Sequence, residues 1–115
     1  MPEELVDAAR LDELAGASDG QGRTLLAALA EVLTAEEAPA CLAGFNEALA
    51  TNDGTLFSRF GHRLKGTAMI FGAGRLTALC TAAERGEAAA SANTLALIET
   101  ELAALEAVLA DRLAL

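Results

Sequence analysis

Residues 93–109 read NTLALIETELAALEAVL, and their apolar side chains recur at alternating steps of three and four residues. That spacing puts them on one stripe of an α-helix, the seam through which a helix packs into a bundle. We therefore expect a closing helix that begins near Asn93. The seam residues are Leu95, Ile98, Leu102, Leu105 and Leu109.

The composition of the whole chain favours the same fold class. Ala (28) and Leu (20) make up 48 of the 115 residues, whereas Val and Ile together total five, and Trp and Tyr are absent. Strong helix formers dominate and strand formers are scarce, which argues against an all-β fold. The length fits one domain, residues 1–115, with enough chain to bury a core without metals or disulfides.

Glycines, a proline and polar turns divide the remaining sequence. The glycine-rich segment 16–22 separates a short N-terminal helix from the rest, and Pro39 predicts a kink or short break near Ala38. The turn 51–54 offers polar side chains that can cap the next helix. An all-α fold follows, an antiparallel four-helix bundle with a short N-terminal extra helix. The predicted helices cover residues 3–15, 23–50, 55–71, 73–86 and the segment from 93 onward.

The charge and the cysteines limit the function. A net charge of −9 argues against nucleic-acid binding, which needs a basic footprint. The acidic N-terminus does not resemble a signal peptide and no long uncharged apolar run is present, so we expect a cytoplasmic protein that does not enter membranes. We also expect a monomer. Cys41 and Cys80 fit two small buried apolar residues, with a disulfide or redox pair as the alternative. The chain has one His and no cluster of Cys residues, so the residue spacings typical of zinc sites are missing. We therefore expect neither a metal nor a cofactor.

Residues 55–75 differ from the rest of this acidic chain. They hold four of its eight Lys and Arg residues and its only histidine, His62, while no Asp or Glu occurs between Gly54 and Ala83. A locally basic strip in such a chain predicts a site that meets an anion. The four cations are Arg59, Arg63, Lys65 and Arg75.

Helical geometry separates the two sides of this segment. At about 100° per residue, the core stripe is narrow and His62 points about 170° away from its centre, into solvent. Lys65 and Gly66 follow His62 by about one turn, and Met69 and Ile70 lie on or near the same polar face. Two apolar residues there predict a docking surface. The core stripe consists of Phe57, Phe60, Leu64, Ala68 and Phe71.

These residue types suit transfer of an anionic group. An exposed imidazole is mostly neutral at pH 7 and can act as a nucleophile through a ring nitrogen. A phosphoryl group on it would carry about two negative charges, which Lys65 can offset, with help from Arg59 or Arg63. A glycine in a helix interior, such as Gly66, destabilises the helix by about 1 kcal/mol relative to alanine. Its presence suggests that a partner backbone comes close there. Gly61 has no chemical role of its own, and we expect it to allow close helix packing.

The segment 62–84 resembles the signature of histidine phosphotransfer (HPt) domains. The matching residues are His62-Arg63-Leu64-Lys65-Gly66-Thr67, Gly72, Leu76, Leu79-Cys80 and Glu84. Two departures are Gly61, where the family commonly has Ala, and the run Ala68, Met69 and Ile70, where it has more polar residues.

The resemblance implies a helical-bundle phosphocarrier without kinase activity of its own. His62 would be phosphorylated, Lys65 would steady the phosphoryl group, and Gly66 would leave room for the partner. That partner would be a response-regulator receiver domain, which brings the Mg²⁺, or a histidine kinase. From the helical geometry and charge, and not from the resemblance, we place Arg59, Arg63, Met69 and Ile70 at the docking surface. Cys80 and Glu84 are assigned to packing and helix-surface pairing.

Two functions from different classes remain open. The first is a phosphorelay intermediate, which the presence of both His62 and Lys65 favours. The second is an HPt-like helical adaptor that binds a receiver or kinase without phosphotransfer. A self-contained enzyme is disfavoured because the chain has no glycine-rich nucleotide loop.

Overall fold

The computed structural model describes residues 4–114, and in that range the chain is helical with no strand. The predicted all-α class is confirmed. A single isolated bridge pairs Ser18 with Thr24 in the loop before the second helix. The helices are α1 (Ala8–Gly16), α2 (Leu25–Val32), a π-helical turn (Leu33–Glu37), α3 (Ala38–Ala50), α4 (Gly54–Ile70), α5 (Gly74–Glu84) and α6 (Ala92–Leu113).

Four helical arms form the bundle. α2, the π turn and α3 make one continuous arm, and α4, α5 and α6 are the other three. Each arm packs against the next, α6 closes the bundle against α2 and α3, and α1 packs against α2. The connections between arms are short, 51–53, 71–73 and 85–91, and connections of this length join antiparallel neighbours.

The interruption at Pro39 falls where the sequence predicts it. Proline has no backbone N–H, and its ring clashes with the carbonyl four residues earlier in a regular α-helix. The chain widens into the π turn just before this point, and Pro39 then occupies the first turn of α3. The arm is therefore irregular at this point, but it stays continuously helical.

Capping residues set where the helices begin. The Asp53 side chain accepts from the N–H of Leu56 and starts α4, which confirms the predicted capping turn. Asp7 caps α1, so that helix begins at Ala8 and not at Glu3, which lies outside the described residues. α5 ends at Glu84, earlier than predicted, and Gly86 follows with a φ of 74°, a left-handed conformation that favours glycine.

The core lies where the two predicted stripes meet. All five seam residues of α6 are buried, as are Phe57, Leu64, Ala68 and Phe71 of α4. Phe60 is the exception in its stripe: it is half-buried and packs against the edge of the core, over Gly44. A Cβ at Gly44 would lie 2.3 Å from the Phe60 ring, so the ring can occupy this position only over a glycine.

The two cysteines are core residues. Cys41 and Cys80 are both fully buried thiols and form no disulfide. Burial raises the pKa of Cys41 to about 11 and that of Cys80 to about 12, so both stay protonated at neutral pH. They act as small apolar side chains. This agrees with the prediction that both are small buried apolar residues.

Candidate functional site

The orientation of α4 exposes the chain's single histidine. Phe57, Leu64 and Ala68 turn inward, and the imidazole of His62 lies on the opposite side with 68% of its side chain exposed. The helix is thus fixed by its core stripe, and His62 projects from it without contributing to the core.

Gly61 brings α5 close to α4 at the level of His62. A Cβ at Gly61 would lie 3.1 Å from both the carbonyl oxygen of Cys80 and the nitrogen of Glu84. The predicted role of Gly61 in close helix packing is confirmed. The hydroxyl of Ser58 also donates to the carbonyl oxygen of Glu84 at 2.6 Å. Together these contacts fix the end of α5 beside the histidine.

Glu84 connects the histidine to the lysine. Its Oε1 lies 2.6 Å from Nδ1 of His62, and its Oε2 accepts a hydrogen bond from Nζ of Lys65, also at 2.6 Å. Two hydrogen bonds lower the pKa of Glu84 below its usual range. The one from Lys65 has the larger effect and the one from His62 the smaller. Glu84 is therefore an ionised carboxylate that joins both predicted site residues.

The carboxylate selects one tautomer of the imidazole. An ionised carboxylate can only accept hydrogen bonds, so the proton of a neutral His62 resides on Nδ1. Nε2 then carries the lone pair, which makes it the nucleophilic nitrogen of an exposed ring.

The remaining predicted residues divide into two groups. Arg59, Gly66 and Met69 share the exposed face of α4 with His62. Met69 is 59% exposed, and a Cβ at Gly66 would meet nothing within 4 Å. Gly66 is thus open toward solvent, as a docking role requires.

Three other residues are held away from this face. The guanidinium of Arg63 donates two hydrogen bonds to Glu37 on the π turn, at 2.9 and 3.1 Å. Arg75, the fourth cation of the basic strip, pairs with Glu101 on α6. Ile70, which the sequence places on or near the polar face, is half-buried and packs against the core, so it is less accessible than Met69.

The contacts of Glu84 with His62 and Lys65 are not predicted by the sequence. Glu84 matches a position of the signature, but the sequence predicts only helix-surface pairing for it. No local pattern near Glu84 indicates a contact with His62, 22 residues away. The turn between α4 and α5 and the close approach at Gly61 create that contact, and both depend on the tertiary structure.

Within residues 4–114, no three His, Cys, Asp or Glu side chains are grouped so that they could hold a metal ion. Separately, none of the described helices is long and apolar enough to cross a bilayer.

The fold and the site define a class of protein, a small helical bundle that presents one oriented, exposed histidine. The family model for the Hpt domain matches residues 32–108, about two thirds of the chain. The chain belongs to the Hpt domain family. This membership gives it a general role in histidine phosphotransfer within a phosphorelay, as a phosphocarrier whose partners are receiver or kinase domains of two-component systems. No curated protein and no solved structure shows a significant match to the chain.

Proposed function

We propose that this protein carries a phosphoryl group on Nε2 of His62, to or from the aspartate of a response-regulator receiver domain. The observation that carries the proposal is the double contact of Glu84 with Nδ1 of His62 and Nζ of Lys65. This contact holds the ring in one tautomer and keeps a cation within one helical turn of the nucleophile.

The transfer step requires no proton donor or acceptor. The lone pair of Nε2 attacks the phosphorus of the aspartyl phosphate, so an N–P bond forms while the P–O bond to the aspartate breaks. The aspartate leaves as a carboxylate with the electron pair. The proton on Nδ1 stays in its hydrogen bond to Glu84, whose negative charge offsets the positive charge that develops on the ring. The reverse transfer follows the same path.

Lys65 and Gly66 have separate parts in this step. The ammonium has three donors, so Lys65 can keep its hydrogen bond to Glu84 and still reach phosphoryl oxygens. Gly66 leaves the space one turn after His62 empty, which lets the loops of the receiver approach the ring. Arg59 and Met69 complete the docking surface on the exposed face of α4.

The partner supplies the rest of the chemistry. In this proposal the receiver brings the Mg²⁺ and the acidic pocket, and the protein has no kinase activity of its own and requires no cofactor. It acts as a cytoplasmic monomer whose residues 1–115 form one domain.

Incubation with a phosphorylated receiver domain tests the proposal. The wild-type protein should gain acid-labile phosphate, and His62→Gln should gain none. Because His62 is exposed, this substitution should change the free energy of unfolding by no more than about 0.5 kcal/mol. Labelling of His62→Gln on another residue would contradict the assignment, and receiver binding by the wild type without any labelling would identify the adaptor function instead.

A further inference from the structure

Most of the cations in the described part of the chain are held by ion pairs. Six of the eight Lys and Arg side chains pair with a carboxylate there. The two that form no such pair within residues 4–114 are Arg59 and Arg85. Arg59 precedes His62 by one turn of α4, and Arg85 directly follows Glu84 at the end of α5; both are exposed. The unpaired cations therefore lie around the same histidine.

The opposite end of the His62 face is apolar and then acidic. Met69 borders a shallow depression whose far side is formed by the N-terminal residues Glu4 and Asp7; its other lining residues are Gly72, Gly74, Thr77 and Ala78. Neither of those two carboxylates forms an ion pair with a side chain in the described range. The exposed face thus runs from cationic through apolar to acidic.

The acidic end is held in place by the backbone. The N–H of Arg75 donates to the carbonyl oxygen of Glu4 at 2.8 Å, and Nε of Arg10 donates to the carbonyl oxygen of Ile70 at 3.0 Å. Gly72, at a φ of 63°, lies so close that a Cβ there would be 2.5 Å from Cβ of Asp7. These contacts fix residues 4–10 across the end of α4. The segment lies outside residues 32–108, the part that matches the family model.

We infer that this charge order fixes the orientation of the receiver and that residues 4–7 help to select it. The inference rests on the proposed function. The partner places an acidic surface over Arg59 and Arg85, an apolar surface over Met69, and a cation against Glu4 and Asp7. A receiver turned end for end brings like charges together at both ends, which costs binding free energy.

The two ends are far enough apart to act separately. His62 and Met69 are seven residues apart, or about 10 Å along the helix axis, and the charged groups lie beyond them on either side. This separation is about one Debye length at 0.1 M salt. Each end therefore responds mainly to the part of the partner directly opposite it.

Glu4→Lys provides the decisive variant. It reverses one charge without removing the anchoring hydrogen bond, which Glu4 makes through its carbonyl oxygen; Asp7 is unsuitable because it caps α1. The matched control is Glu99→Lys, the same change at an exposed position of α6, which packs against α5, α3 and α2. A third variant, Arg85→Glu, reverses the cationic end.

The measurement is the rate of phosphotransfer from the receiver domain that labels the wild type fastest within a panel of purified, phosphorylated receivers. At about 100 mM salt, Glu4→Lys and Arg85→Glu should each slow transfer about fivefold, and Glu99→Lys should stay within about twofold. At about 500 mM salt the differences should largely disappear. A Glu4→Lys rate equal to or above that of Glu99→Lys would overturn the inference, because a purely acidic partner surface favours added positive charge anywhere on the face.

Labelling by phosphoramidate separates this inference from the proposed function. The attack of Nε2 on this small donor breaks its P–N bond and releases ammonia, without any docked partner. Glu4→Lys and Glu99→Lys, whose charges lie away from His62, should be labelled at the wild-type rate, so that a loss seen only with the receiver belongs to docking. If phosphoramidate labels the wild type but not on His62, the proposed function fails, whatever the charge variants do with the receiver.

Discussion

Gly61 and Gly66 lie five residues apart in the same helix and serve opposite sides of it. Gly61 faces α5, where a Cβ would lie 3.1 Å from two backbone atoms, whereas a Cβ at Gly66 would meet nothing within 4 Å. Both residues cost the helix about 1 kcal/mol relative to alanine. Contacts inside the bundle explain the first glycine, and nothing inside the bundle explains the second.

The two faces of α4 differ in the same way as these two glycines. The inward face builds the core through Phe57, Leu64 and Ala68, and it also carries Gly61, which brings Glu84 to the histidine. The outward face holds His62, Gly66 and Met69, which contribute little to the core. We therefore expect substitutions on the inward face to change stability and those on the outward face to change transfer.

The largest effect should come from Gly66→Leu. A leucine side chain here would separate the backbones of the two partners, so transfer from a phosphorylated receiver should fall at least 100-fold, or about 2.7 kcal/mol. The bundle should keep or gain stability, because leucine is the better helix former by about 0.8 kcal/mol. Rate measurements and urea unfolding test both parts. A protein that unfolds but transfers normally before it melts would place position 66 in the core.

Leu64→Ala should show the opposite pattern. Leu64 is fully buried, and its truncation should lower the free energy of unfolding by about 2–5 kcal/mol. The transfer rate of the protein that remains folded should stay close to wild type, measured well below the unfolding midpoint. A slow but fully stable Leu64→Ala variant would break the division between the two faces.

Alanine at each glycine gives the most closely matched pair. Both variants gain the same helix propensity, so the difference between their free energies of unfolding isolates the packing at Gly61. Gly61→Ala should be the less stable of the two by about 1–3 kcal/mol, the usual cost of overpacking. Equal stabilities by urea unfolding would show that α5 can move away from α4 at no cost.

The variants Lys65→Ala and Arg63→Ala test which of these two cations of α4 takes part in transfer. Lys65 is held beside His62 by Glu84, whereas Arg63 is held by Glu37 on the π turn. Removing Lys65 should slow transfer about tenfold, or about 1.4 kcal/mol. Removing Arg63 should change the rate less than about twofold. The reverse order of rates would mean that Arg63 leaves Glu37 to meet the phosphoryl group.

Much of this architecture follows from patterns within single helices. The α6 seam, the core stripe of α4, the irregular turn before Pro39 and the exposure of His62 depend on spacing and local backbone chemistry, so the sequence alone predicts them. The candidate site can be predicted from the sequence only in part. The contact of Glu84 with His62 and Lys65, the pairing of Arg63 with Glu37 and the burial of Ile70 each depend on which helix packs alongside. Helical periodicity gives the direction of a side chain and not its neighbour.

The most direct test of the central claim is which imidazole nitrogen carries the phosphoryl group. We would label the histidine with ¹⁵N, phosphorylate the protein and record the imidazole correlations together with the ³¹P coupling. We expect phosphorus on Nε2 of His62 and a proton on Nδ1, hydrogen-bonded to Glu84. The Glu84→Gln variant should lose the shift of the Nδ1 proton that this bond produces. Phosphorus on Nδ1 of His62 would contradict this expectation, because Nδ1 carries the proton that is hydrogen-bonded to Glu84.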